Sequence, residues 1–418
     1  MVRLTNAGKQ ALDRLVAEAA ADPSIASFVF GVGTADGEIY FHGGGYRIQD
    51  EPLSGLVNPD SVFRLYSQSK TITCVKCSYS IAALHLIEQG GLLESDPVSK
   101  YLPEFSNLIV LSDPLADNPQ FSPAKTTMTI KHLMNFSSGL STPSKDPTQY
   151  AAKLYPEYLT AHDELDPIGG FIKVIKRGYP GIPLVFEPGT DFAYGWSIDI
   201  LGFVIEKASG KSLENYIKKH ICEPLKIKFS FYLDNEFHQR LVALVKKNES
   251  TGRLEVVEED YLYNIEPSKV FCHLGGVGMY SSARDYLKLL RHLLEINKGV
   301  AQNPIISAST LSSIFQPALS DKGQRSLGLI CQRDPYMPQD EGHWSWSNVF
   351  SVSLQDWPGR RRKGTGGWGG WPNLKHFVDP TTGIAVIFET QILPTFNPDV
   401  LRYYSEFEKV LYAGLEDM

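Results

Sequence analysis

Strand-like segments lie at both ends of the chain and helical periodicity fills its middle, which leaves few ways to build a core. Phe28-Val-Phe-Gly-Val-Gly and Gly37-Glu-Ile-Tyr-Phe-His-Gly-Gly-Gly read as a hairpin with its turn at Asp36-Gly37. Near the other end, Lys375-His-Phe-Val-Asp and Ile384-Ala-Val-Ile-Phe-Glu flank the turn residues Pro380-Thr-Thr-Gly383. Between them, stretches such as Ile81–Gly90, Ile130–Met134 and Ile198–Gly210 carry apolar residues at helical spacing. A further helix covers Ala283–Leu294, and a last one runs from about Pro398 to Leu415. The expected fold is α+β: an antiparallel sheet built from both chain ends and flanked by helices, with a mostly helical lobe inserted. Its boundaries are 1–66 plus 271–418 for the sheet domain and 67–270 for the lobe.

Composition narrows the function classes. The 418 residues include 40 Lys+Arg against 47 Asp+Glu, with no basic stripe suited to a phosphate backbone, so nucleic acid is not an expected partner. The first residues, Met1 to Val16, are amphipathic and charged throughout, unlike a signal peptide, and read as a surface helix. No apolar run approaches the roughly 18 residues of a membrane span, and a cytoplasmic location is expected. Five scattered cysteines suit a reducing compartment, and Cys74-Val-Lys-Cys77 reads as packing thiols inside a helix. The histidines form no His-x-x-x-His pair, so no metal and no cofactor are expected.

Three elements carry chemistry. In Ser67-Gln68-Ser69-Lys70, an extended run ending at Tyr66 gives way to a helix, and on the first turn Ser67 and Lys70 point the same way. A serine beside a proton acceptor is a candidate nucleophile. Chance alone supplies on the order of two such pairs in a chain this long. A second copy, Ser122-Pro-Ala-Lys125, reads as a loop and is set aside.

The second element is Tyr194, after the Pro188-Gly189 turn and just before a helix. A phenol becomes a competent base when an ammonium stands beside it, and Lys70 could supply one; read alone, Tyr194 serves equally well as a turn cap. The third is Lys363-Gly-Thr-Gly-Gly-Trp368-Gly369-Gly370-Trp371-Pro-Asn373. Glycines on an edge strand let a ligand approach main-chain N–H groups, although a glycine-rich hairpin packed by tryptophans has the same composition.

Taken in order, these elements resemble the serine β-lactamase, penicillin-binding protein and family VIII carboxylesterase superfamily. Ser67 and Lys70 match its Ser-x-x-Lys, Tyr194 its tyrosine before a helix, and Trp368-Gly369-Gly370 the Trp-Gly-Gly of its esterase branch. Thr129–Leu140 and Phe377–Gly383 add to the likeness. Arg361-Arg-Lys-Gly364 and Gly369-Gly-Trp-Pro-Asn373 resemble the fungal lovastatin-acyltransferase (transesterase) branch.

The resemblance implies a β-lactamase/transpeptidase-like fold in which Ser67 attacks an ester or thioester while Lys70 and Tyr194 share its proton. The oxyanion would rest on the main-chain N–H groups of Ser67 and Trp371. Water or an alcohol would then accept the acyl group. Trp196 stands where penicillin-recognising members carry Asn, and Trp368 where they carry Lys, so esters are expected over lactams. A β-lactamase or D-amino-acid peptidase, and a non-catalytic scaffold, are the alternative readings. Tyr66, Trp196, Trp368, Trp371, Gly369 and Gly370 are expected to wall the substrate pocket. The run Arg360-Arg-Arg-Lys363 reads as a solvated loop that could dock an acyl carrier protein.

Overall fold

The computed structural model describes residues 2–74, 81–88, 90–141, 165–248, 250–257, 270 and 272–417. Its largest sheet has seven strands: β1 (Phe28–Thr34), β2 (Gly37–Gly44), β3 (Trp344–Trp346), β4 (Ser351–Ser353), β5 (Gly366–Gly369), β6 (Lys375–Asp379) and β7 (Ile384–Thr390). Their order is β3-β4-β5-β6-β7-β1-β2, every pair antiparallel, so the two chain ends meet at β7 and β1 as expected. The hairpin turn falls on Ala35-Asp36, one residue earlier than its Asp-Gly signal suggested, because Gly37 already pairs with Thr34.

Burial on both faces explains why β1 and β7 are nearly continuous apolar runs. On one face Phe28, Phe30 and Phe388 pack on helices α1 (Asn6–Ala21) and α5 (Pro398–Gly414) around Phe407. Helix α5 starts cleanly because the Asn397 side chain accepts from Asp399 N and Val400 N, with proline in the first turn. Glycines let α1 and α5 touch: a Cβ on Gly8 would lie 2.7 Å from Gly414 Cα. The other face takes helix α4 (Ala283–Asn297) and the larger core that extends into residues 67–257.

In that segment the helices include α2 (Ser69–Cys74) and α3 (Ser197–Ser209), and a small sheet joins Phe121–Pro123, Leu108–Leu111 and Ile182–Leu184. Ser122 is therefore on an exposed edge strand rather than in a loop, and in either setting it is far from a helix start. Cys77 lies outside the described residues. Val2–Leu4 and Leu415–Asp417 form a two-stranded pairing that the sequence pattern did not reveal.

The basic run is corrected most. Arg360 and Arg361 are only 6% and 5% exposed, and both donate to Glu408 of α5, at 2.6 Å and 2.9 Å. They close the sheet against α5 and are unavailable to a docking partner. Only Arg362 and Lys363 remain exposed.

Candidate active site

The chain reaches Ser67 through a backbone conformation that a tyrosine adopts at a cost. Tyr66 has φ +46°, in the left-handed region, which costs about 1–2 kcal/mol outside glycine. That residue opens the turn Tyr66–Gln68, and α2 begins at Ser69, so Ser67 sits two residues before the α-helix proper. Ser69 Oγ accepts from Met279 N at 3.1 Å and pins the helix start.

Lys70 is 3% exposed, and its ammonium donates to Ser67 Oγ at 3.1 Å and to the Gly276 carbonyl at 2.7 Å. The Gly276 N–H in turn donates to Asp199 Oδ1 at 2.8 Å, and a Cβ on Gly276 would lie 2.8 Å from that carboxylate. Asp199, buried in the first turn of α3, thus holds the carbonyl that aims Lys70. Sequence reasoning missed both residues; Gly275-Gly276 was visible only as a break before α4.

Tyr194 is brought to the same place. The Lys70 ammonium lies 4.8 Å from its ring centroid, and the Trp368 indole N–H donates to its hydroxyl at 3.0 Å. Its ring stacks on Phe136 at 5.1 Å, and Ser141 Oγ donates to its carbonyl at 3.1 Å. A Cβ on Gly195 would lie 2.1 Å from Leu140 O, so the Tyr-Gly pair lets the two segments touch. The stretch ending in Gly139-Leu140 therefore serves as the bed of Tyr194.

The glycine-rich element approaches from β5. Cβ atoms on Gly369 and Gly370 would lie 2.2 Å from Leu374 O and 2.8 Å from Leu65 O, so glycine brings this edge against the residues preceding Ser67. Ser67 and Trp371 line one cavity, and among the described residues neither main-chain N–H has a protein acceptor. Asn373, at φ +67°, fixes the loop by donating to Ile392 O and Pro394 O at 2.7 Å and 2.8 Å.

The cavity measures about 360 Å³. Ser67, Lys70, Tyr194, Trp368, Gly369, Gly370 and Trp371 all line it, with Phe192, Ile330, Met337 and Trp344 as apolar wall. Two expected wall residues do not. Trp196 is 2% exposed and packs edge-on to Phe171, because the first turn of α3 faces the core. Tyr66 is fully buried behind Trp371, ring centroids 5.5 Å apart, and supports the wall from outside.

The remaining titratable groups are subdued. Burial pushes the Cys331 thiol up to about 12, which makes it a poor nucleophile at neutral pH. Burial also lowers His376 to about 3, so this imidazole, bonded to Thr71 Oγ1 at 3.0 Å, is neutral. Lys375 is paired with Asp334 at 3.3 Å. Among the described residues no cluster of His, Cys, Asp or Glu is arranged to hold a metal, and no helix is long and apolar enough to cross a membrane.

The beta-lactamase family pattern matches residues 12–410. Acyltransferase calJ of Penicillium decumbens is 30% identical, the match covering 90% of this chain and 86% of that protein. The lovastatin esterase of Penicillium rubens is 28% identical, covering 85% and 90%. Among solved structures, unliganded simvastatin synthase (LovD) from Aspergillus terreus superimposes with a TM-score of 0.78 at 25% identity, covering 98% of this chain and 99% of that one. The hydrolase EstCE1, at 21% identity and a TM-score of 0.70, shares the fold. With near-complete coverage in sequence and in structure, the chain belongs to the beta-lactamase family.

Proposed function

We propose that this protein is a serine acyltransferase that takes an acyl group from an ester or thioester onto Ser67 and passes it to an alcohol, with water as the slower acceptor. The observation that carries the reading is the Lys70 ammonium, held between Ser67 Oγ at 3.1 Å and the Tyr194 ring at 4.8 Å. Ser67 Oγ bonds to the donor carbonyl carbon while its proton passes to the Lys70–Tyr194 pair. The electron pair moves onto the carbonyl oxygen, which accepts from the N–H groups of Ser67 and Trp371; one such donor is worth on the order of 10²–10³ in rate. Collapse expels the alcohol or thiol with the relayed proton and leaves acyl-Ser67. An incoming alcohol loses its proton to Tyr194 and reverses the sequence.

The Trp368 N–H bond fixes the position of the Tyr194 hydroxyl in the cavity. An alcohol is preferred to water because Phe192, Ile330, Met337 and Trp371 offer an apolar wall that a carbon-rich acceptor covers. The names of similar proteins, acyltransferase and esterase, support a partition between the two acceptors. The sheet domain, 1–66 plus 271–418, and the lobe, 67–270, each contribute part of this site on the same reading.

The test is intact mass after mixing with p-nitrophenyl butyrate or an acyl thioester. A butyryl adduct is expected in the wild type and none in Ser67→Ala; an adduct that survives Ser67→Ala overturns the mechanism. Adding alcohols should raise p-nitrophenol turnover and yield the new ester.

A further inference from the structure

Beneath the nucleophile lies a buried carboxyl group that the mechanism above does not use. Glu389 is on β7, opposite Val29 of β1, and is 0% exposed. It shares a face with Ala385 and Ile387, toward α4, whereas Phe388 points to α5. Among the described residues its hydrogen-bond partner is Gln68, whose amide Nε2 donates to Glu389 Oε1 at 3.0 Å. Gln68 also sits at 0% exposure, immediately after Ser67, and its own carbonyl accepts from the Tyr286 hydroxyl of α4 at 3.3 Å.

The bookkeeping of donors is incomplete here. Among the described residues, Glu389 Oε2 and Gln68 Oε1 are both buried without a hydrogen-bond partner. A carboxylate and an amide oxygen are both acceptors, so neither can satisfy the other while the carboxyl is ionised. One added proton on Oε2 turns it into a donor. The surroundings also reject a negative charge. From α4 comes the Tyr286 phenol, which burial holds protonated; from β6 comes His376, neutral; β1 contributes Val29. Lys70 is committed to Ser67 and Gly276, and Arg64, on the strand Val62–Arg64, makes no ion pair with Glu389.

We propose that Glu389 is a positioning residue for acylation: it stays protonated in the active enzyme, its acid O–H donating to Gln68 Oε1 while the Gln68 amide donates back, and this acid–amide pair ties the Ser67 segment to the middle of the sheet. Burial raises the carboxyl to about 8, against a smaller opposing effect of the Gln68 bond, consistent with that state. Loss of the proton leaves a buried charge facing the Gln68 carbonyl oxygen. The pair opens, and the Ser67–Lys70 alignment loosens.

The inference rests on the reading that Ser67 is acylated. Its test is the pre-steady-state rate of that acylation by p-nitrophenyl butyrate from pH 6.5 to 9.5, in the wild type, Glu389→Gln and Glu389→Leu. Glutamine keeps a neutral amide that bonds to Gln68 in both directions, so it should match the wild type within about twofold at pH 7. The ratio of Glu389→Gln to wild type should then climb to about tenfold at pH 9, where only about a tenth of a group titrating near 8 is still protonated. Glu389→Leu should be at least about tenfold slower than wild type at pH 7. A ratio that does not change with pH overturns the proposal, as does a Glu389→Gln rate as low as that of Glu389→Leu. If Glu389→Gln does not fold, infrared spectra of the wild type decide: a buried carboxylic acid band at pH 7 that is lost by pH 10 supports the proposal, and its absence at pH 7 overturns it. Absence of any acyl adduct at every pH refutes the acylation reading, while the infrared band still reports on Glu389.

Discussion

Two carboxyl groups, both fully buried and on opposite sides of one sheet, are kept in opposite charge states. Glu408 on α5 meets Arg360 and Arg361 at 2.6 Å and 2.9 Å, and although burial opposes it, the two guanidinium groups hold it below the usual carboxylate range. Glu389 meets an amide, and burial pushes it up to about 8. Burial pushes both acids up; what separates them is whether a full positive charge stands beside the carboxyl group. The α5 side is clamped by full charges, with Arg361 also reaching the cavity wall. The side beneath Ser67 is tied by neutral groups that one proton can undo.

The comparison breaks first at Glu408. Glu408→Ala leaves two buried guanidinium groups uncompensated and should lower stability by about 3–5 kcal/mol in urea unfolding, since removing one partner of a buried pair is costly. Arg361→Ala should lose a similar amount. Glu389→Gln should do the reverse. A folded-state value raised from 4.5 to about 8 means the native protein holds a proton that the unfolded chain has released. Wild-type stability therefore loses a few kcal/mol between about pH 4.5 and pH 8 and is level above, whereas the variant lacks this slope. For Glu408 the sign is opposite: its contribution is present above pH 4.5 and is lost as the pH falls. Thermal melts from pH 3 to pH 10 of wild type, Glu408→Ala and Glu389→Gln check both limbs.

Smaller effects follow at the cavity and the surface. Trp368→Phe removes the bond to the Tyr194 hydroxyl while keeping the ring, and should slow acylation about tenfold with stability changed by under about 1 kcal/mol. Arg362→Glu with Lys363→Glu should move stability by less than about 0.5 kcal/mol, in contrast to their buried neighbours. A large loss there would show that the four basic residues act as one cluster.

What could be read in the sequence follows the physics of each element. The alternation in Lys375–Asp379 and the length of Ile384–Thr390 marked strands because periodicity is a local property. Ser67, Lys70, Tyr194 and the Trp368–Trp371 edge were legible as candidates because each belongs to a short local signature: a helix start, a Pro-Gly turn or a glycine-rich strand end. Asp199 and Gly276 were not, being 77 positions apart and joined only by folding. Trp196 was placed in the cavity because it stands two residues from Tyr194, but a helix start turns successive side chains apart and this one points into the core. The one visible hint of Glu389 was an acid inside an otherwise apolar strand, and its meaning needed Gln68 beside it.

The anchor of Lys70 has a consequence for how such a site diversifies. Its second partner is a main-chain carbonyl, an atom that every residue at position 276 would carry. Drift at that position can disturb the lysine only through bulk against Asp199, and never by deleting the acceptor. The cavity wall is under no such constraint, since Ile330 and Met337 make no hydrogen bond to Ser67, Lys70 or Tyr194 through their side chains. Substrate range and proton handling are thereby separable at these two positions, and libraries aimed at new acyl groups or acceptors can vary Ile330 and Met337 while leaving the nucleophile's machinery untouched.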